Sequence, residues 1–304
     1  MADILPFDQR EGHLWYDGHM VKWGDAKTHV LTHGLHYGSC VFEGERIYNG
    51  RIYKLEEHTE RLFASAKILG MHIPFSQDVI NRACIESAKV QGIVDGYIRP
   101  VVFRGSEQMA VSAQNSHIHV AIACWQWPSY FDPKEKLKGI RLTISDWKRP
   151  APDTAPTQAK AAGLYMICTL SKHAAEAAGY ADALMYDYRG YVAEATGANV
   201  FFVKDGQLHT PTPDCFLNGI TRQSVIELAK ARQIPVNVRH IEPKELIHFT
   251  ECFITGSAAE VTPVSEIGPY RFKPGQISET LMNDYAEDVR AEKSRVVLPK
   301  AANF

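Results

Sequence analysis

Two short stretches alternate polar and apolar residues around turn dipeptides. Leu14-Trp15-Tyr16-Asp17-Gly18-His19-Met20-Val21 predicts a hairpin turning at Asp17-Gly18, and Arg46-Ile47-Tyr48-Asn49-Gly50-Arg51-Ile52-Tyr53 predicts another at Asn49-Gly50. Both dipeptides suit two-residue turns whose central residues take positive φ. The period then changes. Between Lys54 and Leu69 the apolar side chains fall at Leu55, Leu62, Phe63, Ala66 and Leu69, a helical spacing that Gly70 stops. A second helix is predicted from Gln77 to Val90. Runs dense in β-branched and aromatic residues, Tyr97 to Phe103 and Ile118 to Trp125, predict buried strands.

Prolines and aromatics gather at Trp127-Pro128-Ser129-Tyr130-Phe131-Asp132-Pro133. That shift marks the expected boundary: an N-terminal α/β domain over 1–128, a linker over 129–137 and a C-terminal cofactor-binding domain over 138–304. Beyond it, a strand from Arg141 to Ser145 leads into a proline-rich loop, Arg149 to Pro156, and a helix from Leu164 to Ala178 that Gly179 ends. Strands follow at Ala183 to Tyr188, Val200 to Val203 and Leu208 to Thr210. An amphipathic helix, Thr221 to Arg232, and a short strand, Glu251 to Thr255, precede a Gly-Ser-Ala turn. Neither half alternates strand and helix strictly, so an α+β fold is expected rather than a doubly wound sheet.

Composition narrows the function. The 304 residues are 45% apolar and 22% charged, enough for a sizeable core. A net charge of −2, without a basic cluster of five or more, gives no case for nucleic acid and leaves a small-molecule ligand. Six scattered cysteines form no CxxC pair, Met1 to Arg10 carries two aspartates and a proline, and the run Val120 to Cys124 is too short for a bilayer. A cytoplasmic protein with free thiols and no membrane partner is expected. His29, His33 and His36 are spaced by four and three, but Gly34 and Gly38 interrupt them and no acidic or cysteine ligand lies at matching spacing. They read as histidines of a packed turn, with no metal expected. The chain has no GxGxxG after a strand, no GxxxxGK[ST] and no GxSxG, which removes the simple dinucleotide, nucleoside-triphosphate and hydrolase readings.

Three features carry candidate chemistry. Lys160 lies in Thr157-Gln158-Ala159-Lys160-Ala161-Ala162-Gly163, whose small residues leave room for a bulky group beside the amine. Glu194 opens Glu194-Ala195-Thr196-Gly197-Ala198-Asn199-Val200, next to a strand. Asn218-Gly219-Ile220-Thr221-Arg222 lies where a loop enters a helix, and amides at such a start attract anions. Amine, carboxylate and anion turn together point to covalently held pyridoxal phosphate. An imine-forming lysine must be neutral part of the time, and a carboxylate against the pyridine nitrogen keeps it protonated. Each feature has a plainer account: Glu194 as a solvated strand-end carboxylate, Asn218 or Thr221 as an ordinary N-cap, Arg61 as a solvated helix residue. A second small turn, Thr255-Gly256-Ser257-Ala258-Ala259-Glu260, could converge with the first on one phosphate.

These stretches, with His33-Gly34-Leu35-His36-Tyr37-Gly38, Val41-Phe42-Glu43-Gly44, Tyr97-Ile98-Arg99-Pro100 and Ala259-Glu260-Val261-Thr262-Pro263-Val264, resemble the branched-chain amino-acid aminotransferases of the fold-type IV pyridoxal-phosphate group, from about Leu14 to Ala286. The resemblance implies a two-domain α+β fold, with Lys160 both catalytic and the covalent anchor, Glu194 at the pyridine nitrogen and Tyr165 at the phenolic oxygen. It implies a phosphate site of Arg61, Leu217, Gly219, Ile220, Thr221, Gly256 and Ser257. The substrate's apolar side would meet Tyr37, Phe42, Val111, Trp127 and Tyr130. Its carboxylates would meet Tyr97, Arg99, Ser257 and Ala258, with Gly44 and Arg46 close by.

The implied reaction is ping-pong transfer of an amino group from leucine, isoleucine or valine to 2-oxoglutarate. The implied assembly is a homodimer, or a larger ring of dimers, in which Tyr37 and Val111 serve the neighbour's site. D-amino-acid aminotransferases, (R)-amine transaminases and aminodeoxychorismate lyases share the fold, and Tyr97-Ile98-Arg99 with Gly44-Glu45-Arg46 favours the branched-chain group. Two positions depart from its pattern. Leu164 stands where asparagine is usual, and Glu45 stands where an apolar residue is usual, so that it could pair with Arg46 or shift charge at the pocket mouth.

Overall fold

A computed structural model describes residues 5–127 and 136–299, so Tyr130 and all of the expected linker except residues 136 and 137 lie outside the described residues. These residues form two units: 5–127 with Ala159–Gly163, and 136–158 with 164–299. The loop that carries Lys160 thus belongs to the first unit, not to the C-terminal one in which its sequence position had put it.

The first unit runs β1 (His13–Tyr16), β2 (His19–Lys22), α1 (His33–Tyr37), β3 (Cys40–Phe42), β4 (Glu45–Tyr48), β5 (Arg51–Ile52), α2 (Leu55–Ile68), α3 (Gln77–Val90), β6 (Gly96–Arg104) and β7 (Ile118–Gln126). Its antiparallel sheet has the order β2-β1-β7-β6-β4-β5, with β3 also on β6. The hairpin turns are those the dipeptides predict: Asp17 and Gly18 have φ of 44° and 98°, Asn49 and Gly50 of 51° and 73°. Successive strand residues face opposite sides. On one side Ile47, Ile98, Ile122 and Cys124 are fully buried, and α2 and α3 contribute Leu62, Ala66, Ile80, Ala83 and Cys84 to the core. Each such leucine or isoleucine contributes about 1.5–3 kcal/mol. The other side presents Gly44, Arg46, Tyr97 and Arg99.

The second unit contains β8 (Ile140–Ile144), a 3-10 turn (Ala162–Tyr165), α4 (Met166–Ala177), β9 (Asp182–Tyr186), β10 (Val192–Ala195), β11 (Asn199–Lys204), β12 (Gln207–Pro211), α5 (Ile220–Ala231), β13 (Val236–Arg239), β14 (Glu251–Gly256), β15 (Glu260–Ile267), β16 (Tyr270–Arg271) and α6 (Gln276–Arg290). The pairings β10-β9-β8-β15-β14-β11 close, because β11 also pairs with β10. Leu142, Leu184, Val200, Phe202, Ile254, Val264 and Ile267 belong to its core. The helix predicted from Leu164 begins instead as the 3-10 turn. Periodicity also missed β10, β15 and α6; β15 hides behind Pro263, which pairs with Phe253 in the ladder and reads in sequence as a strand breaker. Among the described residues, no helix is long and apolar enough to cross a membrane.

Candidate active site

Lys160 is held by its backbone as an added edge on β3. Phe42 N donates to Lys160 O at 3.1 Å, and Val41 bridges to Ala161. Lys160 N donates to Ser65 Oγ at 3.0 Å, which ties the loop to α2. The half-buried side chain places Nζ 4.9 Å from the centroid of the Phe42 ring. The Arg99 guanidinium lies 4.7 Å from the centroid of the same ring, a distance suited to a cation–π contact. Arg99 Nη2 donates to Tyr97 Oη at 3.2 Å, and the Tyr97 and Trp127 rings are 5.5 Å apart. Arg46 Nη2 donates to Trp127 O at 3.3 Å. Gly44 has a steric reason: a Cβ there would fall 1.9 Å from Tyr97 Oη. Lys160, Phe42, Gly44, Arg46, Tyr97, Arg99 and Trp127 are thereby brought together. Tyr37 and Val111 occupy an exposed segment instead, where Tyr37 stacks on His33 at 4.6 Å and Val111 is 86% exposed. His33 Nε2 and His36 Nε2 pair with the carbonyls of Ala110 and Val30, which suits histidines of a packed turn.

Behind this face lies a buried charge cluster that sequence reasoning missed. Arg61 is not a solvated helix residue; it forks onto Glu43, Nε to Oε1 at 2.6 Å and Nη2 to Oε2 at 2.8 Å. His58 Nδ1 lies 2.7 Å from Glu43 Oε2 and, facing an acceptor-only carboxylate, carries the proton. Burial alone would raise the Glu43 carboxyl, but Arg61 and His58 hold it well below the usual carboxylate range. Burial pushes His58 down against the pull of Glu43, leaving the imidazole neutral. His58, Arg61 and Ser65 are spaced by three and four, so one face of α2 carries all three; that spacing was the available signal.

Glu45 shares Glu43's side of the chain. The expectation that it pairs with Arg46 or charges the pocket mouth is corrected: adjacent strand residues face opposite ways, and Glu45 is wholly buried on the helix side. Neither carboxyl oxygen has a hydrogen-bond partner among the described residues. Burial, and then Glu43, push this carboxyl well above its ordinary range.

The second unit holds the acid and the anion turns. Glu194 in β10 stands directly opposite Asn199 in β11. Asn199 Nδ2 donates to Glu194 Oε2 at 3.1 Å, and Arg149 Nε lies 3.5 Å from Oε1. Arg149 is buried; desolvation is the largest influence and opposes its charge, but Glu194, with smaller help from Cys168, Tyr165 and Cys215, brings the net shift upward. Glu194 is therefore paired with a buried arginine on one oxygen and an amide on the other. Tyr165 also lies within electrostatic reach of Arg149. The start of α5 is not a plain side-chain cap. Gly219 is the N-cap, without a side-chain bond, while Asn218 Oδ1 accepts instead from Arg222 Nη1. The amides of Ile220 and Thr221 thus lie at a helix start without a side-chain cap, the kind of start that attracts anions. Leu217 contributes its carbonyl to Asn199. Gly256 ends β14, Ser257 and Ala258 follow in the turn, and the buried Thr255 Oγ1 has no hydrogen-bond partner among the described residues. An orphaned hydroxyl, an uncapped helix start and a carboxylate paired with a buried arginine fit a group that is a phosphate at one end and a protonated nitrogen at the other. Arg149, Asn199 and Thr255 were not foreseen. A strand partner of Glu194 across a tight turn was the legible clue to Asn199.

The first unit thus carries a cationic and aromatic face around a lysine, and the second carries an uncapped helix start near a paired carboxylate. Residues 40–267 match the family model described as amino-transferase class IV, and the chain belongs to that family. It is 42% identical over 291 residues to a probable branched-chain-amino-acid aminotransferase of Rickettsia felis, covering 94% of this chain and 99% of the relative. It is 41% identical over 283 residues to the branched-chain-amino-acid aminotransferase of Pseudomonas aeruginosa, covering 91% and 92%. A crystal structure of the branched-chain amino acid aminotransferase from Thermobaculum terrenum in its PLP-form (holo-form) superposes with a TM-score of 0.84 at 29% identity, covering 92% of this chain and 94% of that one. The fold-type IV resemblance carried by the motifs agrees with these relatives.

Proposed function

We propose that the chain is a branched-chain L-amino-acid aminotransferase that uses pyridoxal 5'-phosphate to move an amino group from leucine, isoleucine or valine to 2-oxoglutarate. The observation that carries this reading is the face around Lys160, where Phe42, Tyr97 and Trp127 supply aromatic surface and Arg99 a guanidinium. Burying a leucine side chain there is worth about 1.5–3 kcal/mol. Arg99 can fork onto a side-chain carboxylate only when glutamate or 2-oxoglutarate is the substrate. One surface can therefore serve both half-reactions.

When bound, the cofactor supplies a carbonyl that accepts the amine and a ring that withdraws electrons from the α-carbon. Lys160 would hold it through Nζ and, once free, would take the proton from the substrate's α-carbon with the same nitrogen. Glu194, paired with Arg149, would hold the ring nitrogen protonated. Tyr165 donates to the phenolic oxygen. Arg61, Leu217, Gly219, Ile220, Thr221, Gly256 and Ser257 hold the phosphate, and Ser257, Ala258 and Arg46 the substrate's α-carboxylate side.

Assembly as a homodimer is part of the proposal. Val30, Leu31, Leu35, Tyr37, Met109 and Val111 are all exposed, and the 105–110 segment is tied to α1 by His33 N to Gly105 O and His33 Nε2 to Ala110 O. So apolar a patch suits a second copy. A cytoplasmic location is supported by six cysteines that are all free. A panel of amino donors against oxo-acid acceptors, with D-amino acids and (R)-amines included, tests the reading. L-leucine, L-isoleucine and L-valine should bleach the bound cofactor's visible band, and 2-oxoglutarate should restore it. Bleaching by D-amino acids alone would overturn the assignment.

A further inference from the structure

Asn199 is 5% exposed, and its amide is committed on both sides. Nδ2 donates to Glu194 Oε2 at 3.1 Å and to Leu217 O at 3.0 Å, while Oδ1 accepts from Gly219 N at 3.1 Å. A flipped amide would set an oxygen against two acceptors and an NH2 against an N–H, so the partners leave one orientation. Gly219 is glycine because of this contact, not its backbone. Its φ is an ordinary −58°, but a Cβ would fall 2.3 Å from Asn199 Oδ1. Gly219 in turn is the N-cap of α5, whose first amides no side chain caps. On its other edge Asn199 pairs with Thr255, which carries the orphaned hydroxyl and precedes Gly256. One side chain therefore touches the carboxylate and the helix start, and sits between the two anion turns.

We propose that Asn199 is a positioning residue that couples the two ends of the cofactor cradle. An anion at the start of α5 fixes Gly219, Gly219 fixes the Asn199 amide, and the amide holds Glu194 in line for a protonated ring nitrogen. Such coupling is reciprocal: the anion tightens binding of the ring, and the ring tightens binding of the anion by the same factor. This inference rests on reading the site as a pyridoxal-phosphate cradle.

The test uses the cofactor-free protein and pyridoxamine, which has no aldehyde to react with Lys160 and no phosphate of its own. Its dissociation constant is measured with and without saturating inorganic phosphate, alongside the pH at which the bound ring's absorbance titrates. In the parent, phosphate should tighten pyridoxamine about five-fold or more and move the ring's titration to higher pH. In Asn199→Ala and Asn199→Ser, checked for folding by circular dichroism, both effects should vanish while each ligand alone still binds. Asn199→Asp, which sets a carboxylate beside Glu194, should weaken both ligands. If phosphate leaves pyridoxamine affinity and titration unchanged in the parent, the coupling is overturned even if no variant folds. It is also overturned if the alanine and serine variants keep the parent's coupling. A parent that binds neither pyridoxamine nor pyridoxamine 5'-phosphate sinks the cofactor reading itself.

Discussion

Replacing Glu45 with leucine should stabilise the protein, and more so as pH rises. The carboxyl is wholly buried, has no hydrogen-bond partner among the described residues, and shares its side with the ionised Glu43. Leaving a neutral polar group buried and unpaired costs about 1–3 kcal/mol. Proton linkage adds to that. The folded pKa lies above the unfolded value of about 4.3, so the folded state holds a proton that the unfolded chain releases. Stability therefore falls as pH rises from the unfolded pKa towards the folded one, by up to about 1.4 kcal/mol per pH unit. Leucine removes both terms and adds apolar contact beside Cys84 and Ile98. A gain of at least about 2 kcal/mol is expected at pH 7, larger than at pH 5.

His58, depressed by burial, acts with the opposite sign, since its contribution is lost as pH falls through about 6.5. Urea unfolding of parent, Glu45→Leu and Glu45→Gln, all without cofactor and all carrying His58, is therefore compared between pH 5 and 7. Glutamine should lose the extra pH slope while keeping part of the polar cost. A leucine variant less stable than the parent, or three equal slopes, would refute the reasoning.

Glu43→Gln should have the opposite effect on stability. Breaking a buried ion pair costs about 3–5 kcal/mol, and the loss should show in urea midpoints at pH 7. Glu43's folded pKa is depressed, so the parent's advantage is present above about pH 4.3 and fades as pH falls below it. The variant should show no such fading. Gly44→Ala sets a methyl 1.9 Å from Tyr97 Oη, so the ring must move and Arg99 loses its partner. KM for 2-oxoglutarate should rise about ten-fold, near the loss of one charge-assisted bond, and KM for leucine much less. An equal rise for both would count against Arg99 as the carboxylate partner.

Local chemistry was the legible part of this chain. Asp17-Gly18 and Asn49-Gly50 announce their hairpins because only a few residues tolerate the φ those turns need. The α2 helix, expected over Lys54 to Leu69, is Leu55–Ile68. Lys160, Glu194 and the Gly219 turn stand out because small neighbours, a strand-side acid and a glycine where a loop enters a helix are local features. Long-range pairing was not legible. Arg61 reads as a solvated helix charge until Glu43 is folded against it, and Glu45 reads as surface charge until β4 turns its side chain towards α3. Asn199 lay inside a quoted motif, but its role depends on strand register and on a loop some twenty residues away. Placing Lys160 in the C-terminal domain followed chain order, whereas its backbone pairs with β3.

The central claim is that Lys160 carries the cofactor through its side-chain nitrogen. Borohydride reduction of the cofactor-loaded protein, followed by peptide mass spectrometry, tests it directly. A phosphopyridoxyl group on the peptide containing Lys160, and none in Lys160→Ala, is the predicted result. The same label on a different lysine, or no label in a protein that transaminates leucine, would contradict the account.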